Sequence, residues 1–207
     1  ASAENYEEIV YEGYGLNELK NWINNYLKLG SIDVNIMTKV DKDNFLNDEK
    51  LPVEFNDAHA ALRGFANSKL NSSVVLSAGL NPRLYSYIAQ FEDFYPNENG
   101  VFKKKIILKV SDYRSALIQG KFLAKKGLWV SEFRIESGLN CGGHAFATDG
   151  YLLGPVLSEF KEKREELKTS LQELVQQEFT NQNRVFPENL SIRITAQGGV
   201  GTHEEHE

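Results

Sequence analysis

Apolar positions along the chain alternate between helical and strand spacing. Leu16, Leu19, Ile23, Tyr26 and Leu27 fall on one face of a helix over Leu16–Leu29, which Gly30 stops. Ile32–Met37 is a short apolar strand. Ala58, Ala61, Leu62 and Phe65 predict a helix over Asp57–Lys69. Val74–Ser77 reads as a strand, ended by Ala78-Gly79. Pro82 suits a first helical turn, continued by Leu84, Ile88 and Phe91. A strand over Lys105–Val110 leads through Ser111, the expected N-cap, into a helix over Asp112–Lys126 that Gly127 ends. Val130–Ser137 is another strand. Glu132, Arg134 and Glu136 alternate in it, so one of its sides meets water or polar groups. Leu157, Phe160, Leu167, Leu171, Leu174 and Val175 make the stripe of one long helix over Leu157–Phe179. Ser191–Ala196 is the last strand, closed by Gly198-Gly199.

Strands alternating with helices predict a parallel sheet joined by right-handed crossovers. Each strand runs into a glycine-rich or polar segment at its C-terminal end, where barrels and doubly wound sheets carry their sites. No repeat or Pro/Ser-rich linker divides the 207 residues, so a single domain is expected. No apolar run is long enough to span a bilayer. The first nine residues are polar and acidic, unlike a signal peptide. A net charge of -6 offers no general attraction to nucleic acid or anionic lipid. The densest basic run, Lys103 to Lys105, reads as a solvated stretch ahead of a strand. The single cysteine, Cys141, provides neither an internal disulfide nor a multi-cysteine metal site, and a reducing, cytoplasmic setting is expected.

Two strand ends carry candidate chemistry. In Ser137–Phe146, Gly142 and Gly143 let backbone approach a ligand, and His144 follows with a pKa naturally near neutrality. The alternative is a plain turn with an incidental histidine. In Thr195–His203, Gln197, Gly198 and Gly199 form a turn whose backbone N–H groups suit a phosphate, although many such turns bind nothing. Lys109 closes an otherwise apolar strand, so it either meets an anionic ligand or snorkels to the rim. His203 and His206 are three apart, not the four of the helical zinc-peptidase pattern, so no metal is expected. His59, among alanines, reads as a surface or partly packed residue.

Five strand ends, in order from Ile32 to Glu207, resemble those of the nitronate monooxygenases, formerly 2-nitropropane dioxygenases. Val34–Met37 is similar to the family's "GVN" strand end, and Ser77–Pro82 to its "AGNxP". Leu108–Ala116 resembles "KxTSxxxA", Gly138–His144 resembles "GxEAGGH", and Ala196–Val200 resembles "ASGGF". The resemblance implies a (β/α)8 TIM-type barrel binding FMN. Asn35 and Lys109 would face the flavin, Gly142 and Gly143 would lie beside it, and His144 would be the catalytic base. Gln197, Gly198 and Gly199 would hold the phosphate. The substrate would be a small molecule. Asn140 stands where the signature is acidic, and Ala145-Phe146 replaces the residues that usually follow the histidine, which bears on the substrate more than on the flavin. The enoyl reductase of fungal fatty acid synthase has a similar stretch, "GGHHSFED", so an NADPH-using enoyl reductase is the alternative enzyme. A third possibility is a non-catalytic barrel fragment that docks a neighbouring chain through the stripe from Leu157 to Phe179. Counterparts of the first and eighth barrel strands are not found in this sequence. The expected architecture is therefore one incomplete barrel domain over 1–207, completed by further segments or by a partner subunit.

Overall fold

The computed structural model describes residues 15–26, 31–37, 41–136, 153–187 and 189–197. The chain separates into two compact units, Ala1–Ile32 and Asp33–Glu207. The described part of the first is a helix, α1 (Leu16–Tyr26), in which Trp22 stacks on Tyr26 one turn later.

The second unit is built on a five-stranded parallel sheet. Its strands are β1 (Val34–Ile36), β4 (Ser72–Leu76), β5 (Lys104–Val110), β6 (Val130–Glu136) and β7 (Arg193–Gln197). They lie side by side in chain order, every neighbouring pair parallel. The helices between them are α2 (Asp57–Ala66), α3 (Pro82–Ile88), α4 (Tyr113–Ala124), α5 (Leu153–Glu162) and α6 (Arg164–Asn181). Crossovers of one hand that always step in the same direction put every helix on the same face. The core agrees: Ile36, Val74, Leu76, Ile106, Leu108, Val110, Phe133, Ile135 and Ile192 pack together with the helices. A small antiparallel hairpin, β2 (Phe45–Leu46) and β3 (Glu49–Lys50), precedes α2. Its two-residue turn holds Asn47 and Asp48 at positive φ (51° and 65°), which the asparagine and aspartate tolerate.

The sequence-based expectations hold for every strand of the large sheet and for the helices on it, within a few residues. They differ in five places. The hairpin was not anticipated, because its exposed two-residue strands show no apolar alternation. Asp112, not Ser111, caps α4, accepting from the Ser115 N–H at 2.7 Å. The expected long helix is two helices, broken at Lys163. Its stripe packs inside this chain: Phe160, Leu167, Leu171, Val175 and Phe179 are buried, so it is not free to dock a neighbour. Lys104 is fully buried, not solvated. Its ammonium donates to Ser68 Oγ (2.9 Å) and Ser68 O (3.1 Å), and sits over the Phe65 ring at 4.5 Å. Burial holds its pKa below the usual lysine value. Finally, His59 is 1% exposed. Among the described residues no helix is long and apolar enough to cross a membrane.

Candidate active site

One irregularity decides which side chains reach the open face of the sheet. Ile106 pairs with Val130, but Ile107 pairs with Glu132, leaving Ser131 as an extra residue in β6. The Ser131 hydroxyl donates to Ile106 O at 2.9 Å, which holds the bulge. Val130 stays in the helix-side core. After the bulge, Phe133 and Ile135 share that core, and Glu132, Arg134 and Glu136 turn to the opposite face.

That face becomes polar across β5, β6 and β7. Lys109 is in register with Arg134, and Arg134 with Thr195. Glu136 is in register with Gln197 at the C-terminal ends of their strands. Glu136 Oε1 accepts from Lys109 Nζ at 3.2 Å and from Gln197 Nε2 at 3.4 Å. Glu136 is 4% exposed, so one buried carboxylate oxygen ties together two residues singled out from sequence. Lys109 thus meets a carboxylate of its own chain, a third outcome beside a bound anion or a snorkel to water. Four residues earlier on β6, Glu132 Oε1 accepts from Arg134 Nε (3.0 Å), Arg134 Nη2 (2.8 Å) and Thr195 Oγ1 (2.8 Å). Asn35 is exposed on β1, in register with Val75, and occupies the same face. Gly142, Gly143, His144, Gly198 and Gly199 lie outside the described residues, as do Cys141, His203 and His206.

Reasoning from sequence recognised a polar side to β6 but did not pair it with Lys109. The signal was available, since Glu136 and Lys109 each lie at the C-terminal end of a strand. A second cluster was missed altogether, at the C-terminal ends of β1 and β4. There Asp41 receives Asn81 Nδ2 at 2.7 Å and Asn56 Nδ2, and lies 3.1 Å from His59 Nδ1. Asn56 and Asn81 are also the N-caps of α2 and α3. Arg83 reaches the Asp41 carbonyl at 2.8 Å and the Asp43 carboxylate at 3.1 Å. Burial lowers the His59 pKa, against the pull of the Asp41 carboxylate. With the His59 ring buried against Tyr87, this cluster pins the segment carrying the hairpin to two helix starts.

No group of three or more His, Cys, Asp or Glu suited to a metal occurs among the described residues. None of the family models, curated proteins or solved structures compared with the chain matches it.

Proposed function

We propose that the chain forms part of a cytoplasmic, FMN-dependent oxidoreductase of the (β/α) barrel type, acting on a small molecule. The observation that carries the reading is the meeting of Lys109, Glu136 and Gln197 at the C-terminal ends of three neighbouring strands. Chain-order strands with all helices on one face are the arrangement of a barrel wall, whose sites lie at that end. A doubly wound sheet would reverse its strand order at the site.

The residues present fit a flavin. Lys109, Gln197 and Asn35 supply N–H donors on one face, and the edge of a flavin ring offers carbonyl and ring-nitrogen acceptors to match. FMN, when bound, would supply two-electron redox chemistry. Lys109 would orient the ring, with Glu136 fixing the ammonium in place. The backbone of Gly198 and Gly199 would hold the phosphate. His144 would take a proton from a carbon beside an electron-withdrawing group, as a histidine base can.

The test is the absorbance spectrum of the purified chain before and after adding FMN. Bound flavin that is lost in Gly198→Val supports the reading, and its absence at saturating FMN both from this chain and from the chain with its barrel completed by further segments or a partner overturns it. In the flavin-loaded protein, His144→Ala should abolish turnover while retaining flavin. Rapid anaerobic bleaching by NADPH would move the assignment to an enoyl reductase.

A further inference from the structure

Glu132 does different work from Glu136. It is 3% exposed, yet it engages two arginines: Arg134 through Oε1, and Arg193 Nε, which lies 3.3 Å from Oε2. The guanidinium groups lead outward from it, with side-chain exposures of 26% for Arg134 and 71% for Arg193. A guanidinium carries five N–H donors. Arg134 spends its Nε and one Nη2 donor on Glu132 in hydrogen bonds, whereas Arg193 is held to it by an ion pair alone. Their other donors have no partner among the described residues. Both arginines line a shallow open depression of about 350 Å³ on the polar face, with Thr195 and Gln197.

The charges do not balance. Lys109 and Glu136 compensate each other, but two arginines share the one carboxylate of Glu132. Among the described residues, the cluster of Glu132, Arg134 and Arg193 therefore carries one positive charge more than its carboxylate neutralises. Guanidinium forks of fixed orientation match the two oxygens of a carboxylate. We infer that Arg134 and Arg193, anchored by Glu132, form a binding site for a small molecule bearing a single carboxylate. A monoanion neutralises the Glu132–Arg134–Arg193 cluster, whereas a phosphate dianion would overshoot it. The site stands independently of the flavin.

The experiment follows the arginine Nε–Hε signals of the intact chain by NMR while acetate replaces chloride at constant ionic strength. The signals of Arg134 and Arg193 should shift saturably. Arg193→Gln, at a largely exposed position, should weaken acetate binding about ten-fold, as loss of one charge-assisted contact implies. Lys125→Gln, which removes the same charge at the C-cap of α4, should leave binding unchanged. Arginine signals that move no further in acetate than in chloride overturn the site. Equal loss in both variants reduces it to general charge attraction and overturns it as well. Tighter binding of inorganic phosphate than of acetate overturns the carboxylate assignment.

Discussion

Lys109 and Glu136 form a pair that neither strand could keep alone. Lys109 has 12% of its side chain exposed and Glu136 only 4%, so each would sit in a poor solvent without the other. Removing one partner should cost more than removing both. Glu136→Gln should destabilise the fold by about 2–3 kcal/mol, somewhat under the penalty for breaking a fully buried pair. Adding Lys109→Met should restore part of that loss, read as a double-mutant cycle from denaturant unfolding. A cycle with no coupling would leave the pair a coincidence of packing. His59 gives a second expectation. Its pKa in the fold lies below the ordinary value near 6.5, mainly through burial. As pH falls through 6.5, the unfolded chain takes up a proton that the folded chain resists. The stability contribution is therefore complete above that pH and is lost toward the lower folded value. Denaturant midpoints at pH 7.5 and 5.5 should differ more in the native chain than in His59→Gln. The partnership of His59 with Asp41 was not legible in the sequence. Asp41 and His59 are 18 positions apart, with a hairpin between them, and only the folded turn makes them neighbours.

The elements of the large sheet were largely legible, because β4 and β5 carry apolar runs and β6 alternates apolar with polar residues. What failed did so for local reasons. The long amphipathic pattern up to Phe179 is continuous in hydrophobicity, and nothing in it marks the break at Lys163 that lets α5 and α6 pack separately. Leu157, counted in that stripe, is 36% exposed as a result. The bulge at Ser131 is equally silent, since one extra residue in a strand looks like ordinary sequence, yet it sets which face Glu132 and Glu136 occupy. Helix packing has its own requirement at Gly120 in α4. A Cβ there would stand 3.1 Å from Leu171 Cδ1, Leu171 Cδ2 and Phe133 Cζ, against both α6 and β6. Gly120→Val should cost about 1–3 kcal/mol through overpacking, read as a fall in thermal midpoint. Gly127, by contrast, was recognisable as the stop of α4, and its φ of 75° is the left-handed geometry that glycine adopts without strain.

At the scale of the whole sheet, the strands differ in how they are held. β4, β5 and β6 each have a strand on both sides, and β4 is buried along its whole length. β1 is three residues long and paired on one side, whereas β7 is secured partly by side chains: Trp129 Nε1 donates to Ser191 O at 3.1 Å, and Arg164 Nη2 to Ile192 O at 3.0 Å. Native-state hydrogen exchange should therefore find the slowest amides in β4, β5 and β6, with β1 exchanging sooner. Uniform protection across the sheet would mean that it opens only as one unit. Parallel strands in alternation with helices were foreseeable from hydrophobic spacing alone. Their order was not, because spacing says nothing about which strands become neighbours; that expectation came from the resemblance of the strand ends. The charges facing one another across β5, β6 and β7 follow from the same order.

That order also bears on how the molecule is made. A ribosome delivers β1, β4, β5, β6 and β7 in the sequence in which they pair, so each of these strands after β1 emerges to find its partner already in place. No strand must wait for a later one to be inserted between it and its neighbour, as a doubly wound sheet requires. The growing edge is always the newest strand, and the helix that follows is free to close over the core before the next strand appears. The nascent chain can therefore extend its sheet one unit at a time while synthesis continues.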